Sequence, residues 1–192
     1  MSTMRNKQRL LHLYRYLMEN TDEEHQVTTN DLVALLRKED ANVSRKTVKD
    51  DIEILIEEGT DIVTTKSYYN AYFVGNRLFE VPEIELLANG IAANVSLTLE
   101  QKDKLIGNLM GMLSVYQAQK VRKKIVYSAS SRNEQSYYNV DRITDAINEE
   151  KQIEFRYSNI RYSENNGIGS SEITYVITPY FLTCRDNRFY VI

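Results

Sequence analysis

The 192-residue sequence contains a single cysteine, Cys184, so no disulfide can form within the chain. A cysteine-poor chain is typical of a reducing compartment. No run approaches the roughly 18 apolar residues that a membrane-spanning helix needs. The charged start, MSTMRNKQRL, lacks the apolar core of a signal peptide. These absences argue against a secreted, disulfide-rich protein and predict a cytoplasmic protein with no membrane partner.

An excess of positive charge is also absent, because the formal net charge is −3 at pH 7. This balance argues against a protein that coats nucleic acid non-specifically. Any DNA affinity must come from local clusters, since only charges near phosphates release counterions. Two basic clusters are present, one at the N-terminus and one further along the chain: Arg5, Lys7 and Arg9, then Arg45, Lys46 and Lys49.

The sequence also lacks a recognisable catalytic or metal-binding constellation. His12 and His25 have no second ligand at metal-binding spacing. Cys184 has no evident base partner, and Gly167-Ile168-Gly169 lacks the strand–glycine–helix context of a phosphate loop. We therefore expect a protein that is not an enzyme and that carries no cofactor or metal.

Hydrophobic periodicity predicts three helices near residues 5–20, 28–38 and 44–58. The apolar stripes are formed by Leu10, Leu13, Tyr14 and Leu17, then Leu32, Leu35 and Leu36, then Val48, Ile52 and Leu55. Thr28 and Ser44 are good N-caps, and Gly59 is a helix stop. Two short alternating runs between 61 and 75 predict a β-hairpin. Three helices and a hairpin predict a winged helix-turn-helix over residues 1–76.

Residues 77–127 return to helical period and predict a helical bridge. The predicted buried residues are Ile84, Leu87, Ala88, Ile91 and Val95, then Leu99, Ile106, Leu109 and Leu113, then Val115, Ala118, Val121 and Ile125. Thr98 and Gln101 form a capping box. Met110, Met112, Leu113 and Tyr116 crowd one segment, and such apolar patches often mark interfaces. We expect a homodimer built mainly from residues 83–126.

The polar, serine-rich stretch at 128–136 favours a linker, placed at 128–139. Residues 140–192 then predict one helix and three or four strands, with a loop over 158–171. The sequence ends inside an apparent strand. We therefore expect either a shortened chain or a small β domain completed by strands that this sequence does not contain. The whole chain is predicted to be α+β.

Four stretches in this order resemble the WYL-domain transcriptional regulators, which have a DeoR-like N-terminal domain. They are VSRKTVKDDIEILIEEG at 43–59, EIELLANGIAANVSLTLEQKDKLIGNLMGMLS at 83–114, ITDAINEEKQIEFRYS at 143–158 and ITPYFLTCRDNRFYVI at 177–192. The family's Trp-Tyr-Leu triplet is Phe189-Tyr190-Val191 here, and its later strands have no counterpart. The resemblance implies a partial SH3-like or Sm-like barrel, the WYL domain, at 140–192. It also implies that this domain senses a negatively charged ligand, a nucleotide or single-stranded nucleic acid.

Candidate contacts to double-stranded DNA lie on the third helix and in the hairpin: Ser44, Arg45, Lys46, Thr47, Lys49, Lys66 and Tyr68. Lysine can donate to guanine, and Ser or Thr can contact bases or phosphates. Asp50 could accept from a cytosine amino group, or it could pair with Lys46 one turn earlier. In the hairpin, the alternative is that Tyr68, Tyr69 and Tyr72 only pack its surface.

Candidate ligand contacts lie among the C-terminal strands: Tyr157, Arg161, Tyr180, Arg185, Arg188 and Tyr190. Tyrosines can stack on bases, and arginines can reach phosphate with two hydrogen bonds. The alternative is that these aromatic residues form the core, because most aromatics of a small barrel do. Alternation puts Phe155 and Tyr157 on one face and Phe189 opposite Tyr190.

Two functions remain open from the sequence. The first is a ligand-responsive transcriptional regulator that binds DNA as a homodimer. The second is an accessory protein that senses nucleic acid and modulates a partner protein, with the N-terminal domain as an interaction module. A Lys46–Asp50 pair favours the second, whereas an unpaired basic face favours the first.

Overall fold

The computed structural model divides the chain into two compact units, Met1–Ala92 with Asp103–Tyr127, and Ala93–Lys102 with Ser128–Ile192. It describes residues 6–66, 70–131, 135–163, 167–185 and 188–192. Only the backbone is described at residues 136, 137, 159–163 and 167–171.

The first unit begins with three helices: α1 (Asn6–Asn20), α2 (Thr29–Leu36) and α3 (Arg45–Glu57). All three predicted helices are therefore confirmed. Their inner residues form one core, made of Leu13, Leu17, Leu32, Leu36, Val48, Ile52 and Leu55. The third predicted stripe is fully buried, and Leu35 of the second is half-buried. In the first stripe Leu13 and Leu17 are buried, Leu10 is half-buried and Tyr14 is exposed. An amphipathic stripe at helical spacing was sufficient to identify this core.

The ends of α2 and α3 are fixed by local hydrogen bonds. Thr28 and Asp31 form a capping box at the start of α2, and Ser44 and Thr47 form one at the start of α3. Gly59 ends α3 with φ of 92°, in the left-handed region that favours glycine. The N–H groups of Gly59 and Thr60 donate to the carbonyls of Ile56 and Leu55, which is a Schellman motif.

A three-stranded antiparallel sheet completes the first core. It contains β1 (Val27–Thr28), β2 (Ile62–Lys66) and β3 (Asn70–Val74) in the order β1-β3-β2. The predicted hairpin is confirmed, with a register that pairs Ile62 with Val74 and Lys66 with Asn70.

Three further helices, α4 (Val81–Ala93), α5 (Leu99–Met110) and α6 (Val115–Arg122), confirm the helical character predicted for the bridge. They surround a second core of Ile84, Ala88, Ala92, Ile106, Met110, Leu113 and Val121. The prediction was wrong for Leu87, Val95, Leu99 and Val115, which are exposed. Ala88, as predicted, and Ala92 occupy the inner face of α4. Val95 follows the end of that helix, and Leu99 and Val115 each begin a helix.

Helix α6 and the residue that caps it are joined to the segment that follows α1 by contacts inside the first unit. The Ser114 hydroxyl, which also caps α6, donates to Asp22 Oδ2 at 2.5 Å. The His25 ring stacks on Tyr116, with ring centroids 3.6 Å apart. Lys120 Nζ lies 2.6 Å from Glu24 Oε2 on the exposed side. These contacts fasten the helical bridge to the three-helix core.

In the second unit, described residues of the stretch expected as a linker make hydrogen bonds with the segment 97–102. Lys102 is fully buried, and its Nζ donates to the carbonyls of Ser128 at 3.4 Å and Ala129 at 3.1 Å. The Ser131 N–H donates to the Leu97 carbonyl at 2.9 Å. The last helix, α7 (Gln135–Asn148), begins inside the expected linker range of 128–139.

Four strands follow α7 and form two separate antiparallel hairpins. β4 (Ile153–Ser163) pairs with β5 (Gly167–Ile177), and β6 (Leu182–Arg185) pairs with β7 (Arg188–Val191). The prediction of a loop over 158–171 was wrong. The β4–β5 ladder continues from the pair of Asn159 with Ser171 to the pair of Ser163 with Gly167. A closed barrel is not formed in the part of the chain that the structure describes, because no ladder joins the two hairpins. No helix among the described residues is both long and apolar enough to cross a membrane.

Candidate nucleic-acid and ligand interfaces

The outer face of α3 begins with three exposed cations, Arg45, Lys46 and Lys49. They lie outward because Val48, Ile52 and Leu55 turn the opposite face of the helix into the first core. Among the described residues, no ion pair links Lys46 to Asp50 or involves Arg45 or Lys49. The cationic turn of the helix is therefore presented to solvent without a carboxylate partner.

Ser44 and Thr47 are committed to the helix start rather than presented as independent contacts. The Thr47 N–H donates to Ser44 Oγ at 3.1 Å, and the two hydroxyl oxygens lie 2.9 Å apart. One hydroxyl hydrogen is used between them, which leaves one for an outside acceptor. These residues can therefore supply at most one hydroxyl donor to a phosphate or base.

Helix α3 is anchored by a buried ion pair that the sequence reasoning missed. Arg9 Nε and Nη2 donate to the two carboxylate oxygens of Asp51, at 2.7 and 3.0 Å. The hydrogen bonds to Asp51 raise the pKa of Arg9 above its ordinary value. Arg9 is therefore neither a solvated charge nor available to DNA phosphate, because its guanidinium is buried. The available signal was Asp51 itself, a charge on the inner stripe between Val48 and Ile52.

In the hairpin, Lys66 is exposed at the end of β2. Tyr68 and Tyr69 lie outside the described residues. Tyr72 is buried, and its hydroxyl lies 3.3 Å from the Thr29 hydroxyl that donates to it. Tyr72 therefore packs in the core. Lys66 is the candidate DNA contact in the part of the hairpin that the structure describes.

Three of the predicted ligand residues share one face of the β6–β7 hairpin. Arg185 lies directly across from Arg188, and Thr183 lies across from Tyr190. Side chains two residues apart on a strand share a face, so Arg185, Arg188 and Tyr190 are neighbours. All three are exposed. Two guanidinium groups beside an aromatic ring form a surface that suits a phosphate next to a base.

A family model for the WYL domain matches residues 138–192. Residues 138–192 are a WYL domain. The matched range begins within α7 and takes in both hairpins. Comparison with curated proteins gave no match, and comparison with solved structures gave none either. WYL domains are commonly found in transcriptional regulators and in ligand-sensing proteins.

The triplet Phe189-Tyr190-Val191 lies on β7 of this WYL domain. Phe189 and Val191 share one face of the strand, and Tyr190 lies on the other, as alternation predicted. Of the triplet, only Tyr190 is on the face that carries Arg185 and Arg188.

The remaining predicted ligand residues are not part of that arginine face. Tyr157 pairs with Ile173 on the apolar face of β4 and β5, beside Phe155 and Tyr175, and is 54% exposed. Tyr180 is 76% exposed, and its N–H donates to the Ile192 carbonyl at 2.7 Å. The side chain of Arg161 lies outside the described residues. The structure therefore brings together Arg185, Arg188 and Tyr190 and leaves Tyr157 and Tyr180 on other surfaces.

Proposed function

We propose that this chain is a transcriptional regulator that binds double-stranded DNA through residues 1–76. In this proposal those residues act as a winged helix-turn-helix, with α3 in the major groove and the β2–β3 hairpin as the wing. The observation that carries the proposal is the exposed, unpaired cationic turn of α3. The order of three helices and a hairpin, with Lys66 at the hairpin's exposed end, also supports it.

We further propose that the WYL domain senses a negatively charged ligand, a nucleotide or single-stranded nucleic acid. The support is the face formed by Arg185, Arg188 and Tyr190, because arginine recognises phosphate and tyrosine stacks on bases. A homodimer is part of the proposal, since two recognition helices read two spaced half-sites.

The alternative of an accessory nucleic-acid sensor depends on a basic face that is neutralised within the protein. A Lys46–Asp50 pair was the feature that would favour it. The described side chains of Lys46 and Asp50 do not form such a pair, so the regulator is the better-supported proposal.

DNA binding is tested with the DNA upstream of the protein's own coding sequence and a scrambled duplex of equal length. Lys46→Ala should cost about 1–3 kcal/mol on the specific site, as loss of a good base contact does. Lys49→Ala, at the flank of the helix, should weaken specific and scrambled binding alike. It should also reduce the slope of log K against log salt by about one.

Lys104→Ala is the matched control, because Lys104 is an exposed lysine of α5 in the same unit but outside the three-helix core. Its affinity and salt dependence should equal those of the wild type. Neither Lys46 nor Lys49 contacts the core, so the circular dichroism spectra of the variants should be unchanged. Unchanged binding in both α3 variants would overturn the proposal and favour the accessory sensor.

A further inference from the structure

A cleft of about 500 Å³ opens within the second unit between α7 and the strands. Its apolar wall is formed by Ile143 of α7, Ile153 and Phe155 of β4, Ile177 of β5 and Val191 of β7. Four of these five side chains are half-buried, and Phe155 is exposed. The volume falls within the roughly 300–1,000 Å³ of small-molecule sites. An apolar wall of this size can receive one or two fused rings.

The rim of the cleft is polar and carries one arginine on the side of the apolar wall. Asn139 and Arg142 line it from α7, at positions three residues apart that share a helix face with Ile143. Glu154 and Arg156 border it from β4, but alternation turns both side chains to the strand face opposite Ile153 and Phe155. An anionic group on a ligand would therefore be attracted to the arginine side of the rim.

Arg142 is not neutralised within the protein, because it takes part in no ion pair among the described residues. Arg156 lies on the polar face of the hairpin, where the nearest paired carboxylate oxygen is Glu172 Oε2 at 3.9 Å. The exposed guanidinium of Arg142 can therefore bind an anionic partner in the cleft.

We propose that this cleft binds a small organic anion that has a flat apolar body and a single anionic group. The body would lie against Ile143, Ile153 and Phe155, and the anionic group would contact Arg142. None of Arg185, Arg188 and Tyr190 lines the cleft. The site is therefore separate from the proposed nucleic-acid-sensing face, and it does not depend on DNA binding.

The test compares two fluorescent probes on the full chain. Anilinonaphthalene sulfonate has fused rings and one sulfonate, and phenylnaphthylamine has the same body without the charge. The sulfonate should bind saturably at one site per chain and more tightly than the neutral probe. Arg142→Gln should weaken sulfonate binding by about threefold to tenfold and leave neutral-probe binding unchanged.

Arg156→Gln is the matched control, because it removes an exposed arginine of the same domain on the opposite face of β4. Its probe affinities should equal those of the wild type. Both arginines are exposed, so circular dichroism should show an unchanged fold in both variants. Non-saturating sulfonate binding, or equal losses in Arg142→Gln and Arg156→Gln, would overturn the proposal.

Discussion

Arg9 and Asp51 are charged side chains buried between α1 and α3. Removal of one partner leaves the other charge buried without compensation, which typically costs about 3–5 kcal/mol. Arg9→Met and Asp51→Leu should each lower the free energy of unfolding by about that amount. The double variant should be more stable than either single variant, because it buries no unpaired charge. Urea denaturation of the wild type, the two single variants and the double variant measures the coupling between the two side chains. If the losses in the free energy of unfolding are additive, the two groups do not interact.

Asp22 is a second buried charge, and it makes the first unit sensitive to acid. Burial alone would raise the pKa of Asp22, but hydrogen bonds from Ser114 and His25 outweigh burial and lower it below the ordinary value. Ionised Asp22 therefore contributes stability that is fully present above its unfolded pKa of about 3.9. This stability is lost as pH falls through the lower folded pKa.

Asp22→Asn should therefore be less stable than the wild type at pH 7, and the gap should narrow as the pH falls below about 4. Thermal unfolding of both proteins between neutral and acid pH measures this gap. Asp141→Asn is the control, since Asp141 is exposed on α7. The difference in stability between this variant and the wild type should not change with pH. A gap for Asp22→Asn that stays constant down to pH 2 would contradict the assignment.

At the scale of the element, two glycines should respond in opposite ways to the same substitution. Gly59 ends α3 with φ of 92°, whereas Gly90 lies inside α4 and is exposed. An added Cβ has no neighbour within 4 Å at either site, so backbone conformation decides both effects. Gly59→Ala should destabilise the protein by about 1–2 kcal/mol. Gly90→Ala should stabilise it by about 0.5–1 kcal/mol. Equal effects in thermal unfolding would contradict this.

Elements whose apolar residues form one stripe could be predicted from sequence. The stripe Val48, Ile52 and Leu55 fixed the inner face of α3, and with it the exposed positions of Lys46 and Lys49. In α4, apolar residues lie on more than one side, so periodicity did not distinguish buried Ala88 from exposed Leu87. The inner face there is decided by packing against α5 and α6, which no local pattern contains.

In the WYL domain, strand pairing likewise decided features that the sequence could not predict. The polar, glycine-containing stretch 158–171 has the composition of a loop. Residues 158–163 and 167–171 nevertheless extend β4 and β5, because each of them has a partner across the hairpin. Alternation could place Tyr190 opposite Phe189. It could not place Arg185 beside Arg188, because cross-strand neighbours depend on register. Part of the candidate ligand face was therefore predictable, but its two-arginine character was not.

At the scale of the molecule, the structure changes which residues we expect to form a dimer interface. Of the four residues that crowd one segment, Met110 and Leu113 are buried in the second core. Met112 and Tyr116 are exposed, and Tyr116 stacks on His25. Exposed leucines lie instead on α4, where Leu86 is 75% exposed and Leu87 is also exposed. We propose that α4 provides the homodimer contact within residues 83–126.

The wild-type chain should therefore sediment as a dimer at micromolar concentration. Leu86→Glu should shift it to monomer, because two copies of the new carboxylate would be desolvated at a symmetric contact. Leu11→Glu is the matched control, since Leu11 is 57% exposed on α1, outside the bridge. That variant should remain dimeric. If the wild type is a stable monomer, or if both variants dissociate alike, α4 is not the dimer contact. Because two half-sites are read by two linked recognition helices, Leu86→Glu should also weaken specific DNA binding more than scrambled DNA binding.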